Sequence, residues 1–214
     1  IPQVMAGIAG RVVGVGLSGQ MHGSVLLNAD RKPVRRALLW NDQRTSAECE
    51  EIERVFGGRA ELVRRVGNAA LTGFTLPKLL WVRRHEAEIW KQVRSVVLPK
   101  DFIRLKLTGE LATDVGDASG MLLLDVDKRE WSSEAMGLVN LDPGLFPRAF
   151  ESGEVTGRIS KAAAAETGLP EGVPVVGGSG DNQAGAVGAG VVSAGLVLAT
   201  IGTSGVIYAH SERA

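Results

Sequence analysis

Val173-Pro174-Val175-Val176 runs into Gly177-Gly178-Ser179-Gly180-Asp181-Asn182-Gln183-Ala184-Gly185-Ala186-Val187-Gly188-Ala189-Gly190: an apolar run, a knot of glycines, one carboxylate, then small residues. This order predicts a strand that turns through glycine into a helix with Asp181 at its start. There, unpaired backbone N–H groups and the helix dipole favour an ionised acid. The glycines let other backbone, or a ligand, come close. Asp181 reads either as a helix cap or as the residue that does chemistry. Downstream, the β-rich runs 196–200 and 206–208 are joined by Gly202-Thr203-Ser204-Gly205, a hairpin whose tip offers hydroxyls and N–H donors. An acid at a helix start beside such a nest suggests phosphoryl transfer.

Composition narrows the field around this segment. A chain of 214 residues can bury a sizeable core. Lys plus Arg and Asp plus Glu are both 24, so nothing in the charge balance argues for nucleic acid or an acidic membrane as partner. The single cysteine, Cys49, cannot form an internal disulfide and fits a reducing cytoplasm. No apolar run reaches the ~18 residues of a membrane-spanning helix. The first residues, Ile1-Pro2-Gln3-Val4-Met5, lack the charged and apolar regions of a signal peptide.

Strand and helix patterns alternate along the chain, which predicts an α/β domain. Strands are expected over 11–15, 24–27, 37–40, 93–98, 121–124, 155–159 and 173–176, with 141–150 a connector. Helices are expected from Thr45 or Ser46 to Phe56 before Gly57-Gly58, over 60–66, from a Thr75 cap, over 87–92, over 100–107, from a Ser132 cap and from a Ser160 cap.

Several motifs fail their structural context. Gly14-Val15-Gly16-Leu17-Ser18-Gly19 fits the dinucleotide-binding G-x-G-x-x-G, but 24–27 returns to strand where that motif requires a helix. Gly16-Leu17-Ser18-Gly19-Gln20 misses the last glycine of the hydrolase elbow, and no P-loop exists. His22, His85, His210 and Cys49 are too scattered to suggest a metal site. Met21-His22 lies in a glycine-flanked loop at a strand end, where α/β sheets present ligand groups, although a structural histidine would look the same. Trp40, Trp81, Trp90 and Trp131 read as packing residues, Asp42 and Arg44 as a local ion pair, and Cys49 as inert beside Glu48, Glu50 and Glu51.

The order of these segments resembles the FGGY carbohydrate kinases, and within them the xylulokinases. The resemblance rests on Gly19-Gln20-Met21-His22-Gly23, Leu39-Trp40-Asn41-Asp42-Gln43-Arg44-Thr45, Gly73-Phe74-Thr75-Leu76-Pro77-Lys78-Leu79-Leu80-Trp81, Leu98-Pro99-Lys100-Asp101, Ser179-Gly180-Asp181-Asn182 and Ile201-Gly202-Thr203-Ser204-Gly205. It implies an α/β, ribonuclease-H-like fold of the actin-like ATPase and sugar kinase type, with sugar and ATP in a cleft between two such domains. By that likeness Asp181 is the base facing the sugar hydroxyl, Met21, His22 and Asn182 line the sugar pocket, and Gly202 and Thr203 lie against the nucleotide phosphates.

The family's opening Asp-x-Gly-Thr hairpin is absent. The nearest string, Asp142-Pro143-Gly144-Leu145, has Leu for Thr and sits in the connector. The chain is therefore expected to be an internal piece of a longer protein. Residues 1–191 would be the N-terminal, sugar-binding domain without its first strands, and 192–214 the start of the nucleotide-binding domain. The parent would phosphorylate D-xylulose to D-xylulose 5-phosphate with ATP and Mg²⁺, in the cytoplasm, with this piece itself inactive. Alternatives are another pentulose or polyol kinase of the family, or a non-catalytic sugar-binding remnant. The apolar hairpin residues Leu196, Leu198, Ile201, Val206 and Ile207 raise the possibility of a homo-oligomer.

Overall fold

The computed structural model describes residues 1–7, 11–201 and 205–211. Its organising contact is a parallel pairing of two glycine-rich segments. Ser18–Gly19 pairs with Ser179–Gly180, register Ser18↔Ser179, and Val15 bridges Val175 in the same sense. Pro174–Val176 pairs on its other edge with Val155–Arg158, antiparallel. Glycine is required at 178, where φ is +71° and a Cβ would stand 2.0 Å from the Leu17 carbonyl oxygen. The two strand ends can therefore approach closely, and the chain enters the helix Asp181–Gly188 directly.

A second layer is built from helices Ser46–Val55, Arg59–Val66 and Thr75–His85 and the antiparallel pair Val25–Leu27 with Ser95–Val97. Leu26, Ile52, Phe56, Leu62, Leu76 and Leu79 fill the space between them. Each such side chain contributes about 1.5–3 kcal/mol by leaving water. A smaller core of Leu107, Ile159, Ala163, Leu169, Val173 and Val175 joins helix Pro99–Thr108 to helix Lys161–Thr167 beneath the strand pair. The serine caps form as expected: Ser132 Oγ accepts from Ala135 N and Ser160 Oγ from Ala163 N, both at 3.1 Å.

Several expectations need correction. Thr75 does not cap its helix; Phe74 holds that position and Thr75 Oγ1 donates to His22 O at 3.2 Å. Of 11–15 only Val15 pairs, and of 37–40 only Leu38, through a bridge to Ser24. At 121–124 the chain forms a 3₁₀ turn, Ser119–Met121, before a short strand Leu124–Asp125, because Leu122 is left-handed at φ 65° and breaks extended backbone. The connector 141–150 contains the 3₁₀ turn Pro143–Leu145 and a short strand Ala149–Phe150. Asp142 Oδ1 accepts from Gly144 N at 2.9 Å, so the Asp142-Pro143-Gly144-Leu145 string is a local turn.

Val197–Ile201 and Gly205–Ala209 form the expected antiparallel hairpin, although its tip, Gly202, Thr203 and Ser204, lies outside the described residues. The hairpin's Ile201 is 95% exposed and its Ile207 80% exposed. Among the described residues no helix is long and apolar enough to cross a membrane.

Candidate functional site

Asp181 is the first residue of its helix, with Gly180 as the cap, so the acid stands in the first turn at the positive end of the dipole. Its Oδ1 accepts from Asn182 N at 2.9 Å, and no other described donor reaches the carboxylate. Asn182 Nδ2 donates to Met21 Sδ at 3.7 Å, tying the helix start to the loop after Ser18–Gly19. Asp181, Asn182 and Met21 line one cavity of about 400 Å³ together with Gln20, Trp40, Gly205 and Val206. Three of the four sugar-site residues expected from sequence thus meet around one opening. Trp40, read from sequence as packing, is instead 47% exposed on that wall.

His22 is held differently. Its ring stacks on Phe74 with centroids 4.1 Å apart and planes 13° from parallel, and Nδ1 lies 3.2 Å from Gly120 O. Gly120 is obligatory there, since a Cβ would fall 2.7 Å from Nδ1. The His22 backbone is left-handed at φ 64°, an uncommon state for a side chain with a Cβ. Its carbonyl is fixed by Lys78 Nζ at 2.8 Å and Thr75 Oγ1 at 3.2 Å. Lys78 also donates to Gly73 O. Burial pushes the Lys78 pKa down to about 8 against the opposing charge of Asp42. His22 is also held below its ordinary value, by burial first, with the Lys78 charge adding and the Gly120 carbonyl and Asp181 opposing. The ring is therefore neutral at pH 7, with Nδ1–H donated to Gly120 O and Nε2 left as an acceptor. His22 is not part of the cavity wall; it adjoins it through Met21.

The junction is fixed from below by Arg104. Its Nη1 donates to Thr156 Oγ1 at 2.7 Å and Val176 O at 2.6 Å, and its Nη2 to Asp101 Oδ1 at 3.0 Å and Gly177 O. The guanidinium thereby holds the carbonyls of the turn that launches Asp181. Gln183, in the first turn of the same helix, donates Nε2 to Gly116 O at 3.3 Å and lines a second cavity of about 590 Å³ with Ser18, Gly116, Ser152 and Ser179. The Asp42–Arg44 pair exists, Nε to Oδ1 2.8 Å, with Arg44 also 4.7 Å from the Trp81 ring centroid. Cys49 has its pKa raised, by burial first, with Glu48, Glu53 and Glu50 adding, so its inert reading holds. Gly202 and Thr203, the residues expected at the nucleotide phosphates, lie outside the described residues.

Sequence reasoning left Phe74, Lys78, Arg104 and Gln183 without a role. The one available signal was the unusual Lys78 inside Leu76-Pro77-Lys78-Leu79-Leu80, a cation in an apolar run. Nothing local marked the other three.

Residues 5–188 match the model for the N-terminal domain of the FGGY family of carbohydrate kinases. The chain is 46% identical over 201 residues to the xylulose kinase of Klebsiella pneumoniae, covering 94% of this chain and 41% of that protein. Among solved structures, a xyloylose kinase from Brucella ovis superposes with a TM-score of 0.86 at 42% identity, covering 93% of this chain and 40% of that one. The xylulose kinase from Rhodospirillum rubrum superposes with a TM-score of 0.89 at 29% identity, covering 96% and 44%. The chain therefore spans about 40% of the length of these relatives. The α/β, ribonuclease-H-like fold of sugar kinases is the fold found.

Proposed function

This chain belongs to the FGGY family of carbohydrate kinases, and on that premise we propose that it supplies the sugar-binding side of an ATP-dependent kinase that phosphorylates D-xylulose. The observation that carries the proposal is the grouping of Asp181, Asn182 and Met21 around one cavity, with Asp181 in the first turn of its helix. Phosphoryl transfer asks a protein chiefly to position the reactants and to meet the charge that develops. In this reading Asp181 takes the proton of the attacking sugar hydroxyl, which requires an approach of about 2.6–3.2 Å. The Asn182 amide hydrogen-bonds the sugar and Met21 gives it an apolar, polarizable wall. Residues 1–191 form the sugar domain, and the hairpin opens the nucleotide domain, with Gly202 and Thr203 at the phosphates.

ATP with Mg²⁺ is the donor in this reading. Among the described residues no three His, Cys, Asp or Glu side chains form a metal-binding group, and Asp181 is the one carboxylate on the cavity wall. Such a donor set fits an ion carried mainly by the nucleotide phosphates, as Mg²⁺ commonly is. A kinase using ATP in this way would work in the cytoplasm. The direct test is a panel of pentuloses, polyols and gluconate with the full-length protein, following ADP release. D-xylulose should give the highest kcat/KM; preference for another sugar would move the proposal elsewhere within the family.

The His22 geometry gives a further expected result. His22→Ala removes the ring that Phe74 and Gly120 O hold, and should raise KM for the sugar with a smaller effect on kcat, costing about 1–3 kcal/mol if a buried partner is left unmade. Because the folded-state pKa of His22 lies below its ordinary 6.5, stability is retained above pH 6.5 and falls as pH drops from there through the lowered value. His22→Ala should flatten that part of the stability profile. Unchanged sugar kinetics with weakened ATP binding would mean that His22, which adjoins the cavity through Met21, does not act on the sugar.

The exposed hairpin residues Ile201 and Ile207 lead to one more expectation. The 214-residue chain should self-associate in size-exclusion chromatography with light scattering, and removing 192–214 should abolish it, since an isolated two-stranded hairpin is marginal in water. A clean monomer with a protease-resistant hairpin would overturn this.

A further inference from the structure

Helix Pro99–Thr108 turns three of its four charged side chains inward, leaving Lys100, Asp101 and Arg104 buried and Lys106 exposed. Lys100 Nζ lies 2.7 Å from Asp101 Oδ1, 2.5 Å from Asp114 Oδ2 and 3.3 Å from Asp117 Oδ2. Arg104 closes on the same Asp101 oxygen at 3.0 Å. Two cations thus face three carboxyl groups with no water-exposed member. Fully ionised, the group would hold an uncompensated negative charge in the interior, which is costly.

Two of those acids build a turn that reaches both halves of the candidate site. Asp114 Oδ1 accepts from Asp117 N at 3.0 Å and caps the helix Val115–Ala118, which runs on into Ser119–Met121. Gly116 O in this turn accepts from Gln183 Nε2 at 3.3 Å, on the helix of Asp181. Gly120 O, four residues later, holds His22 Nδ1 at 3.2 Å. Neither carboxyl oxygen of Asp117 accepts a well-formed hydrogen bond, and its nearest cation is the Lys100 ammonium at 3.3 Å.

We propose that Asp117 is a positioning residue that acts as a neutral carboxylic acid, its one proton balancing the five-residue charge network so that turn 114–121 seats both His22 and Gln183. Carboxyls crowded into one site cannot all ionise, and the least well paired keeps its proton. Burial pushes Asp117 up to about 7, with Asp101 and Asp114 adding and Lys100 opposing. Lys100 stays charged: burial pulls its pKa down, but the acids around it, Asp101 first, raise it on balance. These residues, with Arg104 behind Asp101, are the charged groups that face Asp117. The strands Ser179–Gly180 and Ala149–Phe150 packed against its turn bring no titratable side chain. An acid with a raised folded-state pKa gives stability that is full below its ordinary 3.8 and is lost as pH rises to about 7. Deprotonation should therefore loosen the turn at neutral to alkaline pH.

The test uses the ¹⁵N-labelled 214-residue chain and its D117N variant, in which the amide imitates the protonated acid. In the wild type the Gln183 side-chain amide signals should move with a midpoint near pH 7 when pH is raised from about 5 to about 9. In D117N they should stay at the wild type's low-pH position throughout, and the variant's Tm relative to the wild type's should rise as pH is raised from about 3.8 to about 7 and exceed it at the alkaline end. Gln183 signals indifferent to pH in the wild type, the same shift persisting in D117N, or a D117N Tm below wild type at alkaline pH would overturn the proposal. The last result would make Asp117 an ionised partner of Lys100. If D117N does not fold, the wild type alone decides by infrared spectroscopy. A protonated-carboxyl band should vanish across the same interval, and its absence at the acid end overturns the proposal. None of these readouts involves sugar turnover, so they stand or fall apart from the kinase reading.

Discussion

Asp181→Asn in the full-length protein is expected to lower kcat for sugar phosphorylation about 10²–10⁴-fold while KM for the sugar changes no more than a few-fold. Asparagine keeps the shape and one acceptor oxygen of the side chain but cannot take a proton. A loss of that size is about 2.7–5.4 kcal/mol in the barrier. A carboxylate that only complements the helix dipole is worth about 0.3–1 kcal/mol of stability. The two roles of Asp181 therefore separate by magnitude and by readout. A catalytic base shows in kcat with Tm almost unmoved; a capping acid shows in Tm with kcat intact. The geometry favours the first, because the carboxylate faces a cavity shared with Met21 and Asn182 and takes its one described hydrogen bond from its neighbour's backbone. Steady-state kinetics on the variant, with circular dichroism melts alongside, decide it, and near-normal kcat would leave Asp181 a cap.

The strand-to-helix junction was legible because its signals are local: a β-branched run, glycines where chains must touch, an acid, then small residues. The serine caps and the glycine helix stops were legible for the same reason. Helix Pro99–Thr108 was legible as a helix, but not which of its faces is buried. Lys100, Asp101 and Arg104 form a polar stripe of the kind that normally meets water, yet they are buried, while the apolar Ile103 of the same helix is 47% exposed. Charged side chains enter an interior only when they are paired. Here the partners, Asp114, Asp117, Thr156 and the carbonyls of Val176 and Gly177, arrive from 14 to 73 residues away. No periodicity in the sequence encodes that meeting. The seat of His22 escaped for a similar reason, since its left-handed backbone is made tolerable by Thr75, Lys78 and Gly120 from distant segments. Met21 and Asn182 could be named from the family motifs, but the tie between them, Nδ2 to Sδ, needed the parallel pairing of Ser18–Gly19 with Ser179–Gly180.

Among the described residues Arg104 is the largest fully buried side chain, and replacing it with methionine should produce the largest loss of stability of any substitution considered. Methionine fills much of the volume but removes four hydrogen bonds, leaving Val176 O and Gly177 O without their donor and Asp101 paired with Lys100 alone. Breaking a buried ion pair by deleting one partner costs about 3–5 kcal/mol. In a chain of this size that corresponds to about 6–20 °C in Tm. Arg104→Lys should fall between the two, because one ammonium cannot span acceptors that the planar guanidinium reaches with both of its terminal nitrogens. The source of the loss can be separated by adding Asp101→Asn to Arg104→Met. If the stranded carboxylate carries most of the cost, the double variant recovers stability relative to the single one. If the unpaired carbonyls carry it, Asp101→Asn adds its own cost. An Arg104→Met variant melting within about 2–4 °C of wild type, the equivalent of roughly 1 kcal/mol, would mean that the turn before Asp181 is held by strand pairing alone.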